Sequence, residues 1–265
     1  MSDQKQILVG AVAYHPRIVT IWERFRDYFA DAGVPTDYVL YSNYERLVDA
    51  LLHGEVDIAW NTNTAYVAAE QRIGGDAQLL GMRDVDAEFR TVIAVRRGET
   101  FDELAELEGQ RLALGSRDSG HAAILPLHWV HEAGVRPELV RFDTDLGKHG
   151  DTGDSELRVV EAVSRGGADA GALGDATWVA LRSEGHPAVS GLELAWRSPV
   201  YYHCNFTALP AFDGAAWSDA LLAMSYADPT LRPAMDLEGV KRWLQPDKAG
   251  YETLTHAMQE QGYLG

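Results

Sequence analysis

The chain has 265 residues, 46% of them hydrophobic and 24% charged, with a formal net charge of −17. That length suffices for one large domain or two medium lobes, each with its own core. The acidic balance argues against nucleic acid as a partner, because phosphate backbones are held by clustered Lys and Arg. A small anionic ligand stays open, since a local ring of donors outweighs a screened global field.

The apolar run from Ile7 to Ala13 reads as a first strand, too short and too weakly flanked for a signal peptide. Residues 18–32 read as a helix with Ile21, Trp22, Phe25, Tyr28 and Phe29 on one face, ended by Gly33. Residues 36–41 give a second strand, and Ser42-Asn43-Tyr44-Glu45 a capping box for a helix that runs to Gly54. "DIAW" (57–60) is a third strand, and "TAYVAAEQRI" (64–73) a helix closed by Gly74-Gly75. "TVIAVRR" (91–97) and "RLALG" (111–115) read as strands flanking a helix in "TFDELAELEG" (100–109). Alternating strands and helices predict an α/β fold with a mostly parallel sheet.

One internal echo organises the chain. "LVDALLHGEVDIAWNTNTAYVA" (47–68) matches "VVEAVSRGGADAGALGDATWVA" (159–180) without gaps, at an offset of 112 (159 against 47). Val48/Val160, Ala50/Ala162, Gly54/Gly166, Asp57/Asp169, Val67/Val179 and Ala68/Ala180 are identical, and Tyr66 faces Trp178. Two similar α/β lobes follow: residues 1–94 with 205–265 as lobe 1, and 95–204 as an inserted lobe 2 with two hinge crossings. Helices expected over 215–226, 237–244 and 251–261 return to lobe 1, where Trp217, Trp243 and Tyr251 read as core.

Ligands of two-lobed α/β proteins bind between the lobes, outside the strand C-termini, where helix N-termini offer N–H groups. The residues expected there are Tyr14 and His15, then Trp60, Asn61 and Asn63, and in lobe 2 Ser116, Arg117, Ser119, Gly120, His121 and Asp175. His149, Tyr201 and His203 complete the candidate set. In "GSRDSGH" (115–121), Gly120 admits close backbone approach and the serines offer hydroxyls to an anion. Equally, Ser119 or Asp118 reads as an ordinary N-cap, with Pro126 near the helix start or kinking it. The acidic stretch 143–156 reads as a flexible loop, with Asp154 or Ser155 capping the next helix.

"GSRDSGHAAILPLHWVHEAGV", followed by "RFDTDLGKHGD" and "VEAVSRGGADAGALGD", resembles the phosphonate- and phosphite-binding proteins of ABC importers, members of the type II periplasmic-binding-protein superfamily. The resemblance implies a two-lobed fold and a small anionic ligand (phosphonate, phosphate-like oxyanion or carboxylate). It implies that Ser116, Ser119 and Gly120 hold anionic oxygens, that His149 adds a donor, that Asp175 receives an amine or protonated oxygen, and that Tyr14 closes from lobe 1. Arg117 and Asp118 depart from the family run, which is richer in hydroxyls.

The same superfamily contains enzymes, so the alternative is a cytosolic enzyme acting on a small acid, aromatic or heterocyclic ones included. His121, His149 and Cys204 are its candidate catalytic residues. His203 and Cys204 are neighbours in a strand-like run; side chains of adjacent strand residues face opposite ways, which favours a buried Cys204 acting as a small hydrophobe. His15, His121, His149 and His203 lack helical metal-ligand spacing, and His128 and His131 read as packed or solvated, so no metal or cofactor is expected. The expected partners are the anion and, if the chain is exported, an ABC permease; membrane insertion is not expected. With Met1 native the cytoplasm is expected, and with a leader removed the periplasm or the exterior.

Overall fold

The computed structural model describes residues 6–99, 101 and 103–264. The chain forms two units, residues up to Glu88 with Tyr202–Glu252, and Phe89–Tyr201 with Thr253 onward. The chain passes between them three times, against the two crossings expected, and the first two passages fall at 88/89 and 201/202 rather than at 94/95 and 204/205.

The first unit carries strands β1 (Ile7–Val12), β2 (Thr36–Tyr41), β3 (Ile58–Asn61), β4 (Gln78–Arg83), β10 (Asn205–Ala208) and β11 (Trp243–Leu244), ordered β11-β4-β10-β3-β1-β2. β1 pairs parallel with β2 and β3, and β10 runs antiparallel between β3 and β4. Helix α1 (Ile18–Asp31) buries Ile21, Trp22, Phe25 and Phe29 against this sheet, joined by Phe206, Trp217 and Trp243. Helix α2 (Tyr44–Leu52) starts from Asn43, whose side chain accepts from Arg46 N at 2.9 Å; Asn43 rather than Ser42 is the cap. Helix α3 (Asn63–Ile73) starts from Thr62 and ends at Gly74 in the left-handed conformation.

The second unit carries β5 (Thr91–Arg96), β6 (Arg111–Leu114), β7 (Glu138–Arg141), β8 (Ala170–Gly174) and β9 (Leu192–Arg197), ordered β7-β6-β8-β5-β9. β6 pairs parallel with β7 and β8, and β5 runs antiparallel between β8 and β9. Substituting β6, β7, β8, β5 and β9 for β1, β2, β3, β10 and β4 reproduces the first unit's order. Helices α4 (Leu125–Glu132), α5 (Asp154–Ser164) and α6 (Asp175–Ser183) complete this unit, with Val159, Val160 and Val163 of α5 buried on the sheet.

The echo at offset 112 thus joins α2–β3–α3 to α5–β8–α6, and its identities have structural reasons. Asp57 Oδ2 accepts from Leu8 N at 2.9 Å, and Asp169 Oδ2 accepts from Arg111 N at 2.9 Å. In return Asp57 N donates to Leu8 O and Asp169 N to Arg111 O, fastening β3 to β1 and β8 to β6 in one register. Gly54 and Gly166 follow their helices at φ 70° and 73°, where a side chain would be strained.

Further expectations are corrected. Each sheet is mixed rather than mostly parallel, because β4, β10 and β11 pair antiparallel in the first unit and β5 pairs antiparallel with β8 and β9 in the second. The helix expected over 100–109 is one 3₁₀ turn, Leu104–Leu107; Thr100 and Asp102 lie outside the described residues. The helix expected over 237–244 is replaced by α8 (Arg232–Glu238), following α7 (Ala215–Leu222), and then β11, because Gly239 turns left-handed and Trp243 pairs with Arg83 of β4. Helix α9 (Glu252–Glu260) runs in the second unit instead of the first, held where Glu260 meets His128 at 2.7 Å and Gln261 donates to Ile124 O at 2.9 Å. Gly153 occupies the cap position of α5 at φ 74°, so neither Asp154 nor Ser155 caps it. Among the described residues no helix is long and apolar enough to cross a membrane.

Candidate ligand-binding site

In the second unit β6 ends at Leu114 and the chain turns through Gly115–Ser119 into a π turn, Gly120–Ile124, that runs on into α4. Ser119 starts it: its carbonyl accepts from Ala123 N and Ile124 N, and its hydroxyl from Ala122 N at 3.2 Å. The ordinary N-cap reading of Ser119 therefore holds, and it does not compete with anion binding, because a capping oxygen leaves the hydroxyl hydrogen to donate elsewhere. Pro126 lies in the first turn of α4, directly after the π turn, which agrees with a place near the helix start.

The other polar residues of the run are tied inward. Ser116 is fully buried; its hydroxyl donates to Asp145 and accepts from Asp145 N at 3.2 Å. Thr152 Oγ1 holds the second oxygen of Asp145 at 2.9 Å, so the stretch 143–156 is pinned to the run at this point. Exposed Arg117 pairs with Asp143, which accepts from both its backbone N–H and its guanidinium, and Arg117 O accepts from Tyr263 at 2.6 Å. Asp118 accepts from Gly147 N at 2.5 Å, and burial raises its pKa above the usual aspartate value.

His121 is buried, with Nε2 3.4 Å from Glu156 Oε2 and its ring 5.5 Å from that of Phe89. Glu156 is itself buried and accepts from Gly174 N at 2.6 Å and Thr177 Oγ1 at 2.9 Å, so it joins the π turn to the start of α6. Thr91 Oγ1 donates to His121 O at 2.8 Å and meets the Tyr201 hydroxyl at 2.9 Å. Gly150 packs so closely that a Cβ there would lie 2.8 Å from Ser119 Oγ and 3.1 Å from the His121 ring. The preceding His149, at φ 53°, lies 3.8 Å from Asp118. Asp175 opens α6 half-buried, its pKa raised by desolvation.

Ser119, Gly120, His121, His149, Asp175 and Tyr201 thus gather at the C-terminal edge of one sheet. Glu156, Asp145 and Thr91 belong to the same constellation and escaped the sequence reading. Glu156 carried a signal: with Val159, Val160 and Val163 it lies on the apolar stripe of α5, where an unpaired carboxylate is costly.

The first unit's candidates divide differently. Trp60 is core, its ring 4.4 Å from Phe206 and under the Arg83 guanidinium. Asn61 Nδ2 donates to Thr207 Oγ1 at 3.1 Å, and Asn63 to Tyr202 O at 3.3 Å. His15 is exposed and accepts from Arg17 N, whereas Tyr14 packs on the core edge. His203 and Cys204 do pair, with Nδ1 3.0 Å from Sγ, because β10 begins only at Asn205 and the strand rule does not reach them. Asp86 lies 3.5 Å from the same Nδ1. A thiolate relay needs base and orienting carboxylate on opposite ring nitrogens; this geometry is not one.

A family model described as "ABC transporter, phosphonate, periplasmic substrate-binding protein" matches residues 9–251. The chain belongs to this family. No curated protein matches it. Among solved structures, PhnD1 of Prochlorococcus marinus, in complex with methylphosphonate, is 20% identical at a TM-score of 0.75, covering 98% of this chain and 99% of that one. XAC2383 of Xanthomonas citri, bound to ATP, is 19% identical at 0.75, with 98% of each chain covered. The aliphatic sulphonate binding protein SsuA of Escherichia coli is 14% identical at 0.66, covering 98% and 94%. This phosphonate-binding family member therefore shares the whole fold with all three.

Proposed function

We propose that the chain is the ligand-binding component of an ABC importer and holds a small oxyanion of the phosphonate class at the start of the Gly120–Ile124 turn. The observation that carries the reading is Ser119: a buried capping serine followed by glycine, at the N-terminal end of a helix, within a family defined by phosphonate binding. Ser119 donates its hydroxyl hydrogen and the Gly120 backbone N–H approaches the same oxygens, where the helix dipole adds positive potential. His121, whose pKa the neighbouring Glu156 raises, and His149 add ring N–H donors to the anion. Asp175, at the start of α6, accepts from an amine or a protonated oxygen of the ligand. Ser116 acts as a positioning residue, holding Asp145 and the 143–156 stretch against the run. The resemblance to periplasmic members favours the periplasm as the compartment and an ABC permease as partner.

A thermal-shift screen with methylphosphonate, phosphite, phosphate and methanesulfonate tests this. Binding at 100 times the dissociation constant adds about 2.7 kcal/mol of stability. Ser119→Asp keeps an N-capping oxygen but sets a negative charge against the anion, so it abolishes the shift while the variant stays folded. A wild type stabilised by none of these anions overturns the proposal.

A further inference from the structure

Among the described residues, Asp86, His203 and Cys204 form the one group of three or more His, Cys, Asp or Glu side chains whose ligand atoms all lie within 4.8 Å of one another. We propose that these three side chains bind one thiophilic divalent cation of the zinc class in the first unit. The site is separate from the anion site proposed above and does not depend on it.

The donor set and its spacing carry the proposal. Thiolate, imidazole and carboxylate are the three donors that zinc takes from proteins, and three protein ligands are the number used where one position stays open. Bonds of about 2.0–2.3 Å to zinc put neighbouring donors about 3.3–3.6 Å apart around a tetrahedron. Cys204 Sγ and His203 Nδ1 are 3.0 Å apart, and His203 Nδ1 and Asp86 Oδ1 3.5 Å. The third edge, Cys204 Sγ to Asp86, lies within 4.8 Å, so an ion settles among them through small side-chain adjustments that widen the first edge and bring the thiolate and carboxylate to tetrahedral spacing.

The surroundings match. All three side chains are buried, so water competes poorly for the ion. Arg83 fixes the carboxylate from behind, with Nε 2.6 Å from Asp86 Oδ2 and Nη2 2.9 Å from Oδ1. Such outer contacts orient metal ligands in protein sites generally. Arg83 is in turn paired with Glu238 at 3.2 Å. In formal charge, one cation against two carboxylates leaves one excess negative charge. Binding displaces the Cys204 thiol proton to water, which makes two, and a divalent ion cancels both. The ion also fastens two distant parts of the chain, the segment after β4 and the segment before β10, which already meet where His203 N donates to Asp86 O at 3.0 Å.

The test is a cobalt(II) titration of the chelator-stripped, folded protein, followed by absorbance, with zinc stoichiometry by equilibrium dialysis and elemental analysis. Cobalt serves as the spectroscopic stand-in for zinc. The proposal predicts one equivalent bound, with a thiolate-to-cobalt charge-transfer band. Cys204→Ser removes the band, and affinity falls beyond the roughly 10–100-fold that loss of an outer partner costs. His203→Gln weakens binding while leaving Cys204 in place, so it decides the matter if Cys204→Ser fails to fold. Absence of the band in the wild type, or equal stoichiometry in both variants and the wild type, overturns the proposal and leaves a plain hydrogen-bonded cluster.

Discussion

His121 Nε2 lies 3.4 Å from Glu156 Oε2, with both side chains buried at the mouth of the π turn. This pair connects the start of α4 to the start of α6, because Glu156 also holds Gly174 N and Thr177. Replacing Glu156 by Leu leaves a buried imidazole, a backbone N–H and a hydroxyl without their acceptor. The expected loss is about 3–5 kcal/mol in urea unfolding, with Glu156→Gln losing less.

The same pair sets a pH dependence. Burial opposes a charged imidazole at His121, but the charge and hydrogen bond of Glu156, then Asp151 and Asp145, outweigh it, and its pKa is raised in the fold. Its contribution is full below the unfolded value of about 6.5 and is lost as pH rises through the raised folded value. The stability gap between wild type and His121→Gln is therefore widest near about pH 5.5 and narrows toward alkaline pH. Denaturant titrations across this window check it.

Gly150 is the backbone counterpart of that pair. At φ 89°, with a Cβ position 2.8 Å from Ser119 Oγ, it cannot carry a side chain without moving the hydroxyl. Gly150→Ala costs about 1–2 kcal/mol of strain and weakens anion affinity as well. Gly153, at φ 74° with nothing within 4 Å of its Cβ position, is the control: Gly153→Ala costs similar stability and leaves affinity unchanged. Paired unfolding and binding measurements separate the two.

Asp169 carries the repeat-equivalent role of Asp57, with Arg111 added. The Arg111 hydrogen bond holds its carboxyl down to about 2, and burial works the other way. A depressed carboxylate gives stability that is present above its ordinary value of 3.8 and lost as pH falls through about 2. The pair is partly exposed, so Asp169→Asn costs only about 1 kcal/mol near neutral pH. That difference closes between pH 4 and about 2, measured by acid-dependent denaturant unfolding.

Much of this was readable from residues alone, and the parts that were not have physical causes. The echo at an offset of 112 residues found both units because Gly54/Gly166 and Asp57/Asp169 serve the same backbone needs in each, a left-handed helix end and a strand-to-strand clasp. Ser119 was legible as a cap and as an anion donor, and both roles use one hydroxyl. Trp243 lies in a strand despite its amphipathic surroundings because pairing with β4 overrides the helical pattern. The placement of α9 was illegible because it rests on contacts such as Glu260 with His128, far apart in sequence. The Cys204–His203 contact is hidden from strand alternation because both residues precede β10, which begins at Asn205.

Isothermal titration of the folded protein with methylphosphonate at neutral pH tests the central claim most directly. The account predicts one site per chain, and a Ser119→Ala variant that stays folded but binds about ten- to a hundredfold more weakly, as loss of a hydrogen bond to a charged ligand requires. Equal affinity in wild type and Ser119→Ala, or no binding heat in either while the wild type is folded, would contradict it.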